Sequence, residues 1–450
     1  MSLSRYFQAF ALFFRRINPV QTLTLGYLLM TLIGWSLLSL PWLQAIPTQT
    51  IDNLFTAASA ISTTGLTSVS LSDHYNFGGE LLVFILIQMG GLGYMIFGSF
   101  IVLITRKKIS KTHEELLRTD FGLPKSFDFR GFVQTVLLFT LLVEVLGAAG
   151  LYMIFKERGI PDPLWNAVFH SVSAFCTAGF SLFNNSFEGF RDHIALNLII
   201  IGLSFAGAIG FIAIVDVWER VTGRKKEITF TSKVILGFSL LTITAGCVLL
   251  FFTEPLFKEL PNQIWMTALF QSMTAMTTVG FNTVPIGSLS HGALYLMTIL
   301  MIVGASPAGT GGGIKSTTVV AVLAETFATL RGRRVVTFMG RVIPDFRLQQ
   351  ASASFNFYIL LLTAGVYLLT ITDSSLSVFE LLFEATSAIG TVGLSTGITG
   401  ALSFAGKCVV IALMVLGRIG PLSIGLALFY SKKDYDDSLW DAKYEDISID

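Results

Sequence analysis

The chain has 450 residues, of which 53% are hydrophobic and only 13% are charged, and its mean hydropathy is +0.70. Soluble domains are roughly 45–50% apolar and about 25% charged, so the composition excludes an ordinary soluble protein and indicates a protein embedded in a lipid bilayer. The formal net charge of +1 gives no electrostatic reason to expect a nucleic acid as partner. Three scattered cysteines, Cys176, Cys247 and Cys408, are too few for a disulfide framework and are interpreted as packing residues.

The amino-terminal segment, residues 1–20, does not have the layout of a cleavable signal peptide. Arg15 and Arg16 follow its apolar run, whereas a signal peptide carries its positive charge before that run. We therefore expect this segment to lie in the cytoplasm or along the inner membrane surface.

Eight segments further along the chain are apolar and long enough for spanning helices, since a span needs about 20 residues. They are residues 21–41, 80–104, 132–155, 194–217, 232–253, 292–328, 354–372 and 406–430. Basic residues accumulate in cytoplasmic loops, and here they flank the ends of successive pairs of spans, as Arg15/Arg16, Arg106/Lys107/Lys108, Arg224/Lys225/Lys226, Arg331/Arg333/Arg334 and Lys432/Lys433. This pattern predicts a multi-pass protein of the cell membrane with both termini in the cytoplasm.

A short glycine-centred stretch occurs four times, each time between the two spans of a pair. The copies are "STTGLTSVS", "CTAGFSLF", "TTVGFNTV" and "GTVGLSTG". Aligned without gaps from Phe55, Phe169, Phe270 and Phe383, they place a glycine ten residues later and a threonine two residues before that glycine in every copy. The predicted fold is an all-α membrane protein of four tandem helix/pore-loop/helix repeats, residues 21–108, 109–226, 227–334 and 335–431, around one central pore, with a cytoplasmic tail at 432–450.

At three further positions of this alignment, all four copies carry residues of the same type. The fifth is Ser59, Ser173, Thr274 or Ser387, and the sixth is Ala60, Ala174, Ala275 or Ala388. The second is always polar, as Thr56, His170, Gln271 and Glu384, which predicts hydrogen bonds behind the glycine-containing strands. A metal-binding role for His170 is disfavoured because no second ligand stands at a suitable spacing.

The segments before the glycines are apolar, rich in small residues and about 10–12 residues long, which is too short to cross a bilayer. A short helix would enter from the outer face and leave an extended strand to return. Such backbone is stable at membrane depth only where protein encloses it or where it lines a water-filled path, and glycine allows its carbonyls to turn toward a cation. The predicted potassium filter is Thr63, Thr64, Gly65, Thr177, Ala178, Gly179, Thr278, Val279, Gly280, Thr391, Val392 and Gly393.

The stretch "GASPAGTGGG" (304–313) interrupts the predicted span 292–328. A nucleotide-binding P-loop is rejected, because Ile314 separates Gly313 from Lys315 and no soluble strand precedes the stretch. A broken helix near the pore and a glycine kink for close helix packing both stay open. We expect this break in the third repeat only, below the filter and without contact to it. Arg418, inside the last span, either has a protein or water partner there or reaches to the interface.

With these features the chain resembles the Trk/Ktr/HKT superfamily of potassium transporters, and most closely the bacterial Ktr-type membrane subunit. "IQMGGLGYM" (87–95), "GTGGGIKSTT" (309–318) and "GRIGPLS" (417–423) carry the resemblance, which extends from about residue 20 to 431. It implies potassium uptake, with potassium ions as substrate, sodium as a modulator and no covalent cofactor. It also implies a homodimer that docks a cytosolic ring of nucleotide-binding subunits through its basic loops and acidic tail. The implied gating loop includes Gly304, Gly309, Gly311, Gly312, Gly313 and Lys315, with Arg418 nearby.

The chain departs from Ktr relatives at Cys176-Thr177, where they usually carry Asn-Asn, and at Met276 or Thr277, where they carry Arg. Gly65 favours potassium, since Ser at this position accompanies sodium transport in the plant branch. The main alternative is a sodium- or proton-coupled secondary transporter built from inverted repeats. All four units start and end in the cytoplasm, which argues against it. An intramembrane enzyme is a third class, but no catalytic constellation supports it.

Overall fold

The structure is a computed structural model that describes residues 19–93, 129–223, 225–259, 264–421 and 423–425. The regular secondary structure of this part of the chain is helical except for one small hairpin, in which strand β1 (Thr337–Phe338) pairs antiparallel with β2 (Arg341–Val342). Met339 and Gly340 at its turn both have positive φ, as a two-residue hairpin turn requires. The hairpin is a departure from the predicted all-α fold. The predicted cytoplasmic tail, most of the amino-terminal segment and many basic residues of the loops lie outside the described residues.

The helices repeat one order four times: a long helix, a short buried helix and a second apolar helix. In the first two units they are α1 (Pro19–Leu38), α2 (Thr50–Ile61), α3 (Leu71–His74), α4 (Phe77–Leu92), α5 (Phe129–Glu157), α6 (Pro163–Phe175), α7 (Ile194–Ala208) and α8 (Phe211–Val221). In the last two units they are α9 (Phe230–Thr253), α10 (Pro255–Glu259), α11 (Ile264–Thr277), α12 (His291–Ile302), α13 (Ser316–Leu330), α14 (Asp345–Thr372), α15 (Val378–Ile389) and α16 (Phe404–Ile419).

The outer helices expose apolar side chains. Within the described residues, three helices are long and apolar enough to cross a bilayer, namely Val133–Glu157, Phe230–Thr253 and Asp345–Thr372, and the bent pair α7/α8 is a fourth candidate. Leu138, Leu241 and Leu360 on these helices are more than half exposed. Large aliphatic side chains directed outward in this number indicate a lipid-facing surface.

The four short helices α2, α6, α11 and α15 form the buried centre. They are 12 to 14 residues long and end at Ile61, Phe175, Thr277 and Ile389, next to the glycine stretches, as the sequence predicted. The bulky first residue of each aligned repeat is fully buried, as Phe55, Phe169, Phe270 and Phe383. The alanines at the sixth position are also fully buried, which lets neighbouring elements approach closely.

The packing of these short helices closes a cycle. The second apolar helix of each unit contacts the short helix of the next unit: α4 contacts α6, α7 contacts α11, and α12 contacts α15. Helix α16 of the last unit then contacts α2 of the first. The four units therefore contact one another in a closed order, with the fourth unit beside the first.

The second apolar helix is broken in the second unit as well as in the third, contrary to our expectation. Helices α7 and α8 meet at 102°, and Gly210 between them has φ +85°. The amide of Phe211 donates to the carbonyl of Ala308, in the segment that joins α12 and α13. The predicted span 194–217 is therefore not one straight helix. A single glycine in an apolar run does not predict this break, because a contact with a segment distant in the sequence fixes the bend.

A buried ion pair joins the first and last units. The ammonium group of Lys407 lies 2.8 Å from Oδ1 of Asp52, and both side chains are nearly inaccessible. The hydroxyl of Ser68 donates to the same carboxylate oxygen at 2.7 Å. Removing one partner of a buried pair leaves an uncompensated charge in a medium of low dielectric constant.

We expect Lys407→Met to destabilise the protein by about 3–5 kcal/mol, the size reported for unpaired buried charges. Thermal unfolding of the detergent-purified protein measures this change. The double variant Asp52→Asn/Lys407→Met removes both charges and should recover most of the loss. A single variant that unfolds at the wild-type temperature would show that the pair does not brace the first unit against the last.

Candidate functional site

The four glycine stretches have the same backbone conformation. The threonine two residues before each glycine has positive φ, at +52° for Thr63, +49° for Thr177, +59° for Thr278 and +48° for Thr391. The glycines follow with φ of +90° for Gly65, +65° for Gly179, +86° for Gly280 and +94° for Gly393. Positive φ is expected for glycine and uncommon for a β-branched residue. The sequence predicted the special backbone of the glycines but not that of the threonines.

Hydrogen bonds to the short helices stabilise the unusual backbone conformation of the threonines. The residue after each threonine donates its amide to the carbonyl of the fifth position: Thr64 to Ser59, Ala178 to Ser173, Val279 to Thr274 and Val392 to Ser387. The side chain at this position makes a second bond. The hydroxyls of Ser59 and Ser387 accept the amides of Gly65 and Gly393, each at 3.0 Å, and those of Ser173 and Thr274 donate to the carbonyls of Phe180 and Phe281.

The glycines themselves meet in a closed ring. A Cβ atom at Gly65 would overlap the carbonyl oxygen of Ala178, which precedes the glycine of the next unit. The same overlap would occur between Gly179 and Val279, between Gly280 and Val392, and between Gly393 and Thr64. Glycine is therefore required at all four positions by contact between units as well as by φ. The structure brings together the twelve predicted filter residues from four distant parts of the chain.

The polar residues at the second position are completely or almost completely buried and bond to segments that follow the glycines. Nε2 of His170 lies 2.9 Å from the hydroxyl of Ser181, and Nε2 of Gln271 donates to Thr283 at 3.2 Å. Glu384 accepts hydrogen bonds from Ser395 and Thr399. These bonds agree with the predicted support behind the strands. Thr56 is the weakest case, with Tyr75 as a donor at 3.5 Å.

The interrupted segment of the third unit, residues 303–315 between α12 and α13, lies against the threonines of the ring. We call it the crossing loop. Thr63 donates to the carbonyl of Thr310 at 3.4 Å, Thr177 donates to its hydroxyl at 3.1 Å, and Thr278 accepts the amide of Gly312 at 3.0 Å. A Cβ atom at Gly312 would overlap the hydroxyl oxygen of Thr391. Our expectation that this segment would not touch the filter is therefore wrong, since it contacts the threonine of every unit.

Two cationic side chains hold the crossing loop. Arg418 donates to the carbonyls of Thr310 and Gly90 and lies 3.1 Å from the hydroxyl of Thr63. Lys315 donates to the carbonyl of Gly311 at 2.6 Å. Arg418 thus has protein partners at depth, which excludes an interfacial side chain as its main role. Bonds from Ser306 and Thr310 to carbonyls of α7 attach the loop on the opposite side.

Several residues of this site were not singled out by the sequence. Thr310 contacts two threonines of the ring and the carbonyl of Phe175, but the glycine-rich stretch around it gives no sign of these contacts. Gly90 lies in the stretch "IQMGGLGYM", but nothing in that stretch predicts its carbonyl as an acceptor for Arg418. The hydroxyl at the fifth position recurs in all four copies, and this recurrence is the sequence signal for its role in the ring.

Comparison with known proteins identifies the family. Residues 18–441 match the sequence model of the TrkH family, described as cation transport protein. The potassium/sodium uptake protein NtpJ of Enterococcus hirae is 33% identical over 426 residues, which cover 92% of this chain and 93% of that protein. The Ktr system potassium uptake protein B of Bacillus subtilis is 34% identical over 415 residues, covering 91% and 92%.

A solved structure agrees with the fold. The crystal structure of the potassium transporter TrkH from Vibrio parahaemolyticus has a TM-score of 0.70 at 19% identity and covers 91% of this chain and 85% of that one. These matches confirm the resemblance to Trk and Ktr proteins and the expectation of a transport protein rather than an enzyme. The chain therefore belongs to the TrkH family of cation transport proteins and is a multi-pass membrane protein.

Proposed function

We propose that this protein takes up potassium ions across the cell membrane through a pore between its four repeats. The observation that carries the proposal is the closed ring of glycines and carbonyls contributed by one stretch from each unit. Backbone carbonyls around an axis can replace the water shell of a desolvated cation. The short helices end at this ring, and their carboxyl-terminal dipole ends favour a cation there. Two potassium uptake proteins with about one third identical residues support the choice of ion.

The proposed architecture is eight spans in four repeats, with both termini in the cytoplasm. The basic residues at the ends of successive pairs of spans carry the argument for orientation. Arg331, Arg333 and Arg334 follow α13 and are exposed, as expected for a cytoplasmic loop. The domain boundaries at residues 108, 226, 334 and 431 follow from the same pattern.

The crossing loop is the proposed gate. It contacts the threonine of each filter stretch and is fixed by Arg418 and Lys315, so in this position it obstructs the path of an ion leaving the ring. A partner can open such a gate only if the closed state is favoured by a few kcal/mol. We propose that this partner is a cytosolic ring of nucleotide-binding subunits, docked on a homodimer of this chain through its basic loops and acidic tail.

A coupled secondary transporter is the second candidate. The relative NtpJ is described as a potassium/sodium uptake protein, so sodium-linked transport and sodium modulation should both be tested directly. The four units are cyclically related and repeat the same helix order, whereas a midplane site between inverted repeats would need alternating orientations. Flux of potassium and of sodium into liposomes that contain the purified protein, measured separately and together, distinguishes the two candidates. Potassium uptake that requires sodium in the same compartment would favour the coupled transporter.

The filter can be tested with Gly280→Ser. The new Cβ atom would overlap the carbonyl oxygen of Val392, and the φ of +86° is unfavourable for serine. We expect the preference for potassium over sodium in liposome flux to fall on the order of tenfold, about 1.4 kcal/mol of discrimination. Gly202→Ser is the matched control, because Gly202 is exposed on α7 with open space at its Cβ. Equal selectivity of both variants and the wild type would count against the four-stretch filter.

The gate can be tested by deleting Ala308 to Gly312. Gly304 and Gly313 are adjacent at the base of the crossing loop, so the deletion removes its tip without separating α12 from α13. We expect potassium flux without any cytosolic partner to rise several-fold. Arg418→Gln, which leaves the loop intact but loses most of its bonds, should raise flux in the same direction. A folded, inserted deletion variant with wild-type flux would refute the gate.

A further inference from the structure

Glu384 is the only acid among the four residues at the second position of the short helices. Its counterparts in the other units are Thr56, His170 and Gln271. All four side chains stand behind the glycine ring at the same place in their helices, and Glu384 is completely buried. The fourth unit therefore differs from the other three by carrying an acidic side chain at this position.

The carboxyl group of Glu384 is held by two hydroxyl donors. Ser395 donates to Oε2 at 2.8 Å, and Thr399 donates to Oε1. The amide of Gly397 in turn donates to the hydroxyl of Ser395 at 3.0 Å. These partners belong to the segment that follows Gly393, so the carboxyl group is fixed against the stretch of chain that leaves the ring. Burial disfavours the charged form of a carboxyl group, whereas hydrogen bonds to both oxygens favour it, so the charge of this group depends on what else lies near it.

No salt bridge neutralises this group within the described residues. The buried Asp52 of the first unit differs in this respect, because Lys407 lies 2.8 Å from its Oδ1. Arg418 places a positive charge against the crossing loop. The described part of the site thus has an ionisable acid next to the stretch that follows the ring glycine and a positive charge at the crossing loop.

We propose that Glu384 determines the potassium affinity of the filter, by adding the field of its ionised carboxylate to the carbonyl ring, where a bound cation is the opposite charge that favours the ionised form. The inference rests on the proposed function, since it concerns a cation in that ring. A buried charge acts over a distance because little water screens it. Coulomb's law with an effective dielectric constant of about 20 gives on the order of a tenfold effect on affinity for a unit charge roughly 10 Å from the ion. The hydrogen bonds of Glu384 go to Ser395 and Thr399, which are not filter residues, so it acts on the ion through its field.

A purely structural role for Glu384 must be distinguished from this electrostatic one. Both roles allow Glu384→Gln to weaken transport, because glutamine can lose a bond to Ser395 or Thr399. Gln271 offers the means to separate them, since it occupies the equivalent position in the third unit beside the hydroxyl of Thr283 at 3.2 Å. Glutamine is therefore compatible with this environment, and a glutamate at position 271 has a hydroxyl donor available.

The experiment measures initial potassium uptake into liposomes as a function of potassium concentration for four proteins: wild type, Glu384→Gln, Gln271→Glu and the double variant that exchanges the two residues. For Glu384→Gln we expect KM for potassium to rise about tenfold while the rate at saturating potassium changes less than twofold. Gln271→Glu adds a second charge and should lower KM. The double variant carries one charge again and should return KM to within about threefold of the wild type.

Unchanged KM in both single variants would overturn the proposal, and so would a raised KM that the double variant does not correct. If Glu384→Gln fails to fold, as thermal unfolding would show, the lowered KM of Gln271→Glu still decides the question, with no decrease counting against the charge. A wild-type protein that is folded and inserted but does not transport potassium would refute the proposed function itself. That outcome differs from active wild type with unresponsive variants, which would refute only the role of Glu384.

Discussion

The contact between each glycine and the carbonyl of the next unit is the constraint on which the rest of the structure depends. It runs from the first unit through the fourth and back to the first, so no stretch can move without its neighbours. The second apolar helix of each unit packs on the short helix of the next unit in the same closed order. The pair between Asp52 and Lys407 braces the closing junction, where no peptide connection holds the first and last units together.

The glycine ring and the crossing loop are one hydrogen-bonded assembly. The threonines that adopt the unusual backbone conformation also provide the hydroxyls that meet the crossing loop, and Arg418 bonds to the loop, to Thr63 and to the carbonyl of Gly90 at once. Displacing the loop therefore removes hydrogen-bond partners from the threonines of the ring. If the loop is the gate that we propose, its opening and a change in the ring are energetically coupled, since both states compete for the same polar groups.

Much of this arrangement was predictable because four copies repeat the same chemistry. The alignment gave the short helices, the glycines of the ring and the polar support at His170, Gln271 and Glu384. The left-handed threonines were not predictable, since a β-branched residue disfavours positive φ unless tertiary bonds impose it. The break at Gly210 and the contacts of Thr310 also depend on which distant segments meet, and local pattern contains no information about that.

The most direct test of the central claim is the position of bound ions. Crystals grown with rubidium or thallium in place of potassium would show these ions in anomalous difference density. We predict a peak on the axis of the glycine ring, coordinated by backbone carbonyl oxygens of the residues that precede the glycines, Thr64, Ala178, Val279 and Val392. Density confined to a side-chain site between helices, with none inside the ring, would contradict the account.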